Sequence, residues 1–291
     1  MRIAVLKNTP HTLLKTFHDS DGTQVDAGDV TVRVEDAAGQ EVVAETPATK
    51  SGSGAETTYS LDLEAQPDVA LLIVTWTSPT HGVREDLVDV VGAHLFTIEE
   101  ARAATMTGGQ TPLNNLPANV LRQWRSYVTG LFEQRTGQSF IPKYGRMKLR
   151  GEGTRSLWFP DGIPVTAQGL PLDAGGENRD IRRILSVTIN GQAQDVDDFF
   201  PARQGIESRF TIPKATSGNP FNVVVEYEYG RLPVAEAREN ALRMMFANAV
   251  ASDLPSRATS FNNEDGTFRL TTFPVEVEEF LRSHDRRGVL A

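Results

Sequence analysis

The feature that most constrains the fold lies in residues 221–250, where a strand pattern changes into a helix pattern across a short corner. Over residues 222–229, Val223, Val225, Tyr227 and Tyr229 alternate with a second set that becomes acidic at Glu226 and Glu228, the period of a half-buried strand. Gly230 ends this pattern, and Pro233 stands where a first helical residue is favoured. The next apolar residues recur at helical spacing: Ala237, Ala241, Met244, Met245, Ala249 and Val250. The segment therefore predicts a strand, a tight corner and an amphipathic helix.

Length and charge predict more than one domain. The chain has 291 residues, which exceeds the usual size of a single domain. Residues 1–94 contain 6 Lys and Arg against 15 Asp and Glu, whereas residues 95–291 contain 23 of each. This discontinuity predicts a domain boundary near His94. It also argues against an N-terminal nucleic-acid-binding domain, which would need a basic face.

Composition excludes several classes of protein. The chain has no cysteine, so disulfides and thiolate chemistry are excluded, and zinc would depend on His and carboxylate ligands alone. The longest apolar run, residues 69–76, is too short to span a bilayer, and residues 1–14 lack a secretory signal. We therefore expect a soluble protein that is made and kept in the cytosol.

Residues 1–94 contain about seven short alternating segments separated by turn residues such as Asp21-Gly22 and Ala38-Gly39. This spacing predicts an antiparallel β-sandwich with Trp76 as its core anchor. The segment resembles the immunoglobulin-like modules that are appended to many phage structural proteins, although it lacks the cysteine pair of antibody domains.

Helical signals begin after His94. Thr97 and Glu100 form a capping box before a short helix, and Pro117 precedes a longer helix that Gly137 ends. One stripe of the longer helix is apolar: Val120, Leu121, Trp124, Tyr127, Val128, Leu131 and Phe132. Residues 141–229 read as strands and loops. Residues 184–190 followed by Gly191 predict a hairpin arm, with residues 209–212 as its short partner.

This order of elements resembles the adaptor that binds under the portal of long-tailed bacteriophages. The likeness covers residues 96–291 and rests on the strand VVVEYEYG and the C-terminal segment FPVEVEEFLRSHDRRGV. Together with the predicted immunoglobulin-like sandwich in residues 1–94, it implies an α+β multidomain protein. Residues 95–273 would form a helical adaptor domain with a β-excursion over about residues 141–230, and residues 274–291 would form a docking helix and tail. The stripes at residues 120–132 and 237–250 would form its helical core.

The resemblance also implies a function. Subunits of that family form a ring, usually with twelvefold symmetry, that joins the portal to the next neck component, the stopper. Double-stranded DNA passes through the ring without sequence-specific contacts, and the balanced charge of residues 95–291 suits such a channel because strong phosphate contacts would hold the genome. The expected location is the virion neck, after synthesis in the host bacterial cytoplasm.

The predicted docking segment begins at Pro274. Its helix is too short to be stable alone, so its apolar stripe must pack against a partner such as the portal or against the protein's own core. The tail combines two positive charges with a terminal apolar pair. The candidate portal-docking residues are Val277, Phe280, Leu281, Arg286, Arg287, Val289 and Leu290.

No catalytic, metal-binding or cofactor-binding motif is evident. The five histidines are scattered, with no HExxH, and the chain has neither a G-x-S-x-G elbow nor a phosphate-binding loop. We therefore expect no enzyme activity and no cofactor. The alternative is a carbohydrate- or surface-binding sandwich, for which Phe17, Tyr59 and Trp76 are the available aromatic residues, although alternation places Trp76 inward.

Overall fold

A computed structural model describes residues 2–105, 113–159, 164, 166, 180–202, 205–252 and 274–285. The fold is mixed α/β and rich in strands, with several separate sheets. The described residues form three apolar clusters. One lies between the sheets of the N-terminal part, a second lies between the later sheets of the chain, and the third lies among the helices that precede and follow those later sheets.

The N-terminal unit consists of strands. They are β1 Arg2–Leu6, β2 His11–Lys15, β3 Phe17–His18, β4 Gln24–Val25, β5 Thr31–Asp36, β6 Glu41–Pro47, β7 Thr49–Ser51, β8 Thr58–Leu63, β9 Ala70–Ser78 and β10 Gly82–Val91. One sheet has the order β1-β10-β9-β5-β6, a second β2-β8-β7, and β3 pairs with β4. The pairing of β1 with β10 is parallel, so the prediction of a purely antiparallel sandwich is wrong at this edge. Alternation reveals which face of a strand is buried but carries no information on the direction of its neighbour.

The two larger sheets share one apolar core. Val32, Val74 and Trp76 face it from the first sheet, and Leu13 and Tyr59 face it from the second. Trp76 is 1% exposed, as the alternation around it predicts. The Tyr59 hydroxyl donates to Asp26 Oδ1 at 2.8 Å and accepts from the backbone N–H of Ala27 at 2.9 Å. This buried polar group is thereby satisfied.

The described residues after this unit contain four α-helices: α1 Ile98–Ala103, α2 Ala118–Thr136, α3 Ala235–Ser252 and α4 Val275–Ser283. The predicted capping box is present, since the Thr97 hydroxyl accepts from Glu100 N–H and the Glu100 carboxylate accepts from Thr97 N–H. Gly137 ends α2 with a φ of 68°, in the left-handed region that glycine adopts without strain. Most of the predicted α2 stripe is buried, but Tyr127 is 44% exposed and lies outside it.

Between α2 and α3 lies the β-excursion. Its strands are β11 Lys143–Leu149, β12 Ser156–Trp158, β13 Ile181–Ile189, β14 Gln192–Ala193, β15 Phe199–Ala202, β16 Gly205–Ser208 and β17 Val223–Tyr229. They form two sheets around a shared core, β11-β17-β13-β14 and β12-β16-β15. Asn190 and Gly191 have positive φ, as a two-residue hairpin turn requires. The hairpin partner is β14, so the prediction of residues 209–212 as the partner strand is wrong.

The corner predicted after the long strand is present. Gly230 has a φ of 94°, and a Cβ atom there would lie 2.2 Å from Ile141 O. Only glycine satisfies both the conformation and the close approach. The chain then turns into α3, which begins at Ala235, two residues later than Pro233 predicts.

The N-terminal unit and the helices pack together. Val91 is part of the helical core, and Ala4 and Leu6 pack against it. Gly92 N–H donates to Pro142 O at 2.9 Å across the junction. Arg183 of β13 also forms an ion pair with Asp68. A boundary near His94 therefore separates two patterns of secondary structure that share a packed junction, and independent folding of the two parts stays a prediction.

Candidate functional surfaces

The predicted docking helix packs inside the chain. Val277, Phe280 and Leu281 are 0%, 3% and 5% exposed and belong to the helical core. The Phe280 ring centroid lies 5.6 Å from that of Phe132 and 5.6 Å from that of Phe140. The expectation that these three side chains form a free docking stripe is therefore corrected. The sequence left open whether this stripe packs against a partner or against the protein's own core, and the structure shows it packed in the protein's own core.

Apart from Val275, which is 68% exposed at the start of the helix, the remaining surface of α4 is polar. Arg282 forms an exposed ion pair with Glu278 at 2.7 Å. Gln138 Nε2 donates to His284 O at 3.0 Å, which attaches the end of α4 to the segment after α2. The other four docking candidates, Arg286, Arg287, Val289 and Leu290, lie outside the described residues.

The aromatic residues that a sugar-binding sandwich would need are buried. Tyr59, Trp76 and Phe17 are 0%, 1% and 2% exposed, and the rings of Phe17 and Tyr59 pack edge to face with centroids 5.5 Å apart. None of the three can stack on a ligand from solvent. This finding removes the observation on which the carbohydrate-binding alternative depended.

A second aromatic pair lies on the β-excursion. Trp158 is 53% and Phe200 44% exposed, and the pairing of β12 and β15 with β16 places both on the same outer face. Gly205 is opposite Trp158, and the Arg209 guanidinium lies 5.2 Å from the centre of the Phe200 ring. The alternation of Ser156, Leu157 and Trp158 is the signal that could have located this surface, because Leu157 is buried between two exposed neighbours.

A polar cluster occupies one face of the four-stranded sheet. The Glu226 carboxylate accepts hydrogen bonds from the Tyr144 hydroxyl at 2.8 Å and the Ser186 hydroxyl at 2.6 Å, and Arg146 Nε lies 3.4 Å away. Burial, followed by the charge of Glu226, raises the pKa of Tyr144, so its hydroxyl stays protonated and remains a donor. The two hydroxyl donors satisfy the carboxylate, and Arg146 offsets its charge, as expected of a structural network in the interior.

One concave site with several charged groups lies where the N-terminal sheet meets α2. We call it the junction cleft, and its volume is about 210 Å³. One wall of the cleft consists of residues of α2: Arg125, Ser126, Thr129, Gly130 and Glu133. The other wall consists of residues from the N-terminal sheet and the segment after it: Ala4, Asp89, Val91, His94 and Leu95. The lining is completed by Ile141 and Lys143. Positions 125, 129 and 133 are four residues apart, which puts them on one face of the helix.

Two basic groups of the junction cleft are strongly affected by burial. Burial, with a contribution from Arg125, lowers the pKa of His94 to about 3, so this imidazole is neutral at physiological pH. Burial, reinforced by neighbouring Arg122, lowers the pKa of Arg125 to about 10, which leaves its guanidinium charged. Glu133 is neutralised locally, because Lys143 Nζ lies 2.7 Å and Ser139 Oγ 2.6 Å from its carboxylate oxygens.

Within the ranges that the structure describes, no group of three His, Asp or Glu side chains is arranged to hold a metal ion. The described helices also include none that combines the length and the apolar character needed to cross a bilayer. In the turn that contains Asp21 and Gly22, Asp19 Oδ1 accepts hydrogen bonds from the N–H groups of Asp21 and Thr23.

No protein-family model matches this chain, and a search of curated proteins finds no significant match.

Proposed function

We propose that this protein is a structural subunit of a bacteriophage neck, a head-to-tail adaptor that joins the portal to the next neck component. The observation that carries the proposal is the path of the chain through residues 117–252. One long helix, α2, leads into a β-excursion, and the excursion returns through β17 and the Gly230 corner into a second long helix, α3. Both helices bury their apolar faces in one cluster together with α4.

Topology supports an immunoglobulin-like assignment for the N-terminal unit. In such sandwiches the third, sixth and seventh strands form one sheet, and the first, second, fourth and fifth form the other. Here β5, β9 and β10 correspond to the first of these sheets, with β6 at its edge, and β2, β8 and β7 correspond to the second. The first strand departs from this arrangement, because β1 pairs in parallel with β10 and so joins the first sheet.

The proposed assembly is a ring of identical subunits, twelve by analogy with the resembled family, closed by heterologous contacts between two different faces of each protomer. The outer face that carries Trp158 and Phe200 is one candidate for such a contact, because exposed aromatic residues are enriched at interfaces. DNA would pass through the centre, and the stopper would bind below. The N-terminal unit would decorate the neck.

In this proposal the tail after α4 binds the portal, because the apolar stripe of α4 is buried in the helical core. Arg286 and Arg287 would supply charge, and Val289 and Leu290 would supply apolar area. Removal of residues 286–291 leaves all of the described α4 in place. We expect the shortened protein to fold normally and to lose co-sedimentation with portal rings.

The matched control for this experiment is Arg282→Gln, which removes a charge from the exposed face of α4 but leaves the tail intact. We expect this variant to bind the portal as the wild type does. Wild-type protein that fails to co-sediment with its portal would contradict the proposed function. A shortened protein that still co-sediments would contradict only the role of the tail.

A further inference from the structure

We propose that the junction cleft binds a carboxylate group and that Arg125 recognises it. The inference does not depend on the proposed role in the phage neck. Arg125 is 6% exposed, and its guanidinium makes one hydrogen bond within the described residues, from Nη1 to Phe96 O at 3.1 Å. Glu99 acts on this charge only from beyond ion-pair distance, so the buried guanidinium has lost hydration without gaining a carboxylate in direct contact.

A carboxylate is the ligand that best restores this balance. The guanidinium presents its donors in a planar fork, and two parallel hydrogen bonds to one carboxylate are shorter and stronger than bonds between neutral groups. The charge on Arg125 persists at neutral pH, because burial lowers its pKa only to about 10. Neighbouring Arg122, which is exposed, adds positive potential at the same position.

The other groups of the cleft make no ion pair with Arg125, and this includes Asp89, which lines the cleft but lies beyond ion-pair distance of the guanidinium. Glu133 is already paired with Lys143 and accepts a hydrogen bond from Ser139. His94 is neutral and cannot compensate a cation. Among the described residues, no carboxylate lies within ion-pair distance of Arg125.

Shape supports the same conclusion. Gly130 lies in the middle of α2, and a Cβ atom built there would meet no atom within 4 Å. Glycine weakens a helix interior relative to alanine, and the packing of this chain does not require it at this position. Its effect is to keep the cleft open beside Thr129. The volume of about 210 Å³ compares with the roughly 150 Å³ of an engineered cavity that holds benzene, so a short carboxylate chain can enter.

The carboxylate can come from a free dicarboxylate or from an acidic side chain of a peptide. The two sources are distinguished by calorimetric titration of the full chain with glutarate in one arm and with a blocked Gly-Glu-Gly peptide in the other. Binding that is tighter for the peptide would assign the cleft to a protein partner, and binding that is tighter for glutarate would assign it to a metabolite. In both arms affinity should fall as salt concentration rises.

Two variants test the assignment of the residues. Arg125→Lys keeps the charge and loses the fork, so affinity should fall about tenfold or more. Gly130→Leu fills the cleft with a better helix former, so binding should be lost while the melting temperature stays the same or rises. Gln134→Leu adds the same side chain one turn further along the exposed face of α2, outside the cleft, and should bind like the wild type.

The proposal is overturned if neither ligand binds the wild type at concentrations up to about 10 mM, where even a weak site would be detected. It is also overturned if Gly130→Leu binds as tightly as Gln134→Leu, because the ligand would then lie elsewhere. Because Gly130→Leu is expected to fold at least as well as the wild type, a loss of binding in this variant cannot be attributed to unfolding.

Discussion

Replacement of Phe280 by alanine tests whether α4 is part of the helical core. The side chain is 3% exposed, and its ring centroid lies 5.6 Å from those of Phe132 and Phe140 and 4.3 Å from that of His284. Removing a buried phenylalanine typically costs about 3–5 kcal/mol, through lost transfer free energy and the cavity that remains. The three neighbouring rings come from two different segments and cannot all move to fill the cavity, so we expect a loss of stability in the upper half of this range.

The measurement is thermal unfolding followed by circular dichroism at the helical band. For domains of 150–250 residues, 1 kcal/mol shifts the melting temperature by about 2–4 °C, so a loss of 4 kcal/mol corresponds to roughly 8–16 °C. Val275→Ala is the matched control, because Val275 lies on the same helix and is 68% exposed. Its effect should stay within about 0.5 kcal/mol.

The result distinguishes the two roles that α4 could have. If Phe280→Ala and Val275→Ala melt at the same temperature, α4 does not contribute to the stability of the isolated chain, and its stripe is available to a partner. Truncation after Thr272 extends the same test. The packed helix predicts a large loss of stability from this truncation, whereas a free docking helix predicts almost none.

Three further perturbations have defined outcomes. Gly230→Ala introduces a Cβ atom 2.2 Å from Ile141 O at a φ of 94°, so it should destabilise the chain by more than about 1–3 kcal/mol, as measured by urea unfolding. The pKa of His94 is lowered to about 3 in the folded protein, so as the pH falls below 6.5 the unfolded chain takes up a proton at this residue before the folded chain does. The free energy of unfolding should therefore decline between about pH 6.5 and 3. His94→Gln should flatten that part of the pH profile. Hydrogen bonds from Lys50 and from the backbone N–H of Gly28 lower the pKa of Asp26 to about 2. The contribution of this carboxylate to folding stability is therefore present above the unfolded pKa near 3.8 and is lost as the pH falls through about 2. Asp26→Asn should remove this acid-dependent component from the pH profile.

Local signals in the sequence predicted local structure well. The capping box at Thr97, the αL end of α2 at Gly137 and the corner at Gly230 all follow from the requirements of a few neighbouring backbone groups. The alternation of β17 likewise predicted Val223–Tyr229 as a strand with Val223, Val225 and Tyr227 buried.

Long-range pairing could not be predicted in the same way. Nothing in Arg2–Leu6 indicates that this strand runs parallel to β10, because pairing direction depends on how the chain crosses between the two sheets. The destination of the α4 stripe was equally undetermined, since an amphipathic helix specifies that one face is buried but not what covers it. The contact of Phe280 with Phe132 joins residues that are far apart in sequence.

The junction cleft was also beyond sequence reasoning. Arg125 lies one residue after Trp124 and reads as part of a solvated helix face, yet it is 6% exposed because the N-terminal sheet covers that side of α2. The mid-helix glycine at position 130 is the one local signal that could have drawn attention to this face, since glycine in a helix interior usually has a packing or functional reason.

Cryo-electron microscopy of the purified protein mixed with its portal tests the central claim most directly. We expect a closed ring of identical subunits on one end of the portal, in which α2, α3 and α4 form a helical layer and the N-terminal β-unit packs against that layer. Portal particles that carry no additional ring, under conditions in which the protein is folded and in excess, would contradict the proposed role as a head-to-tail adaptor.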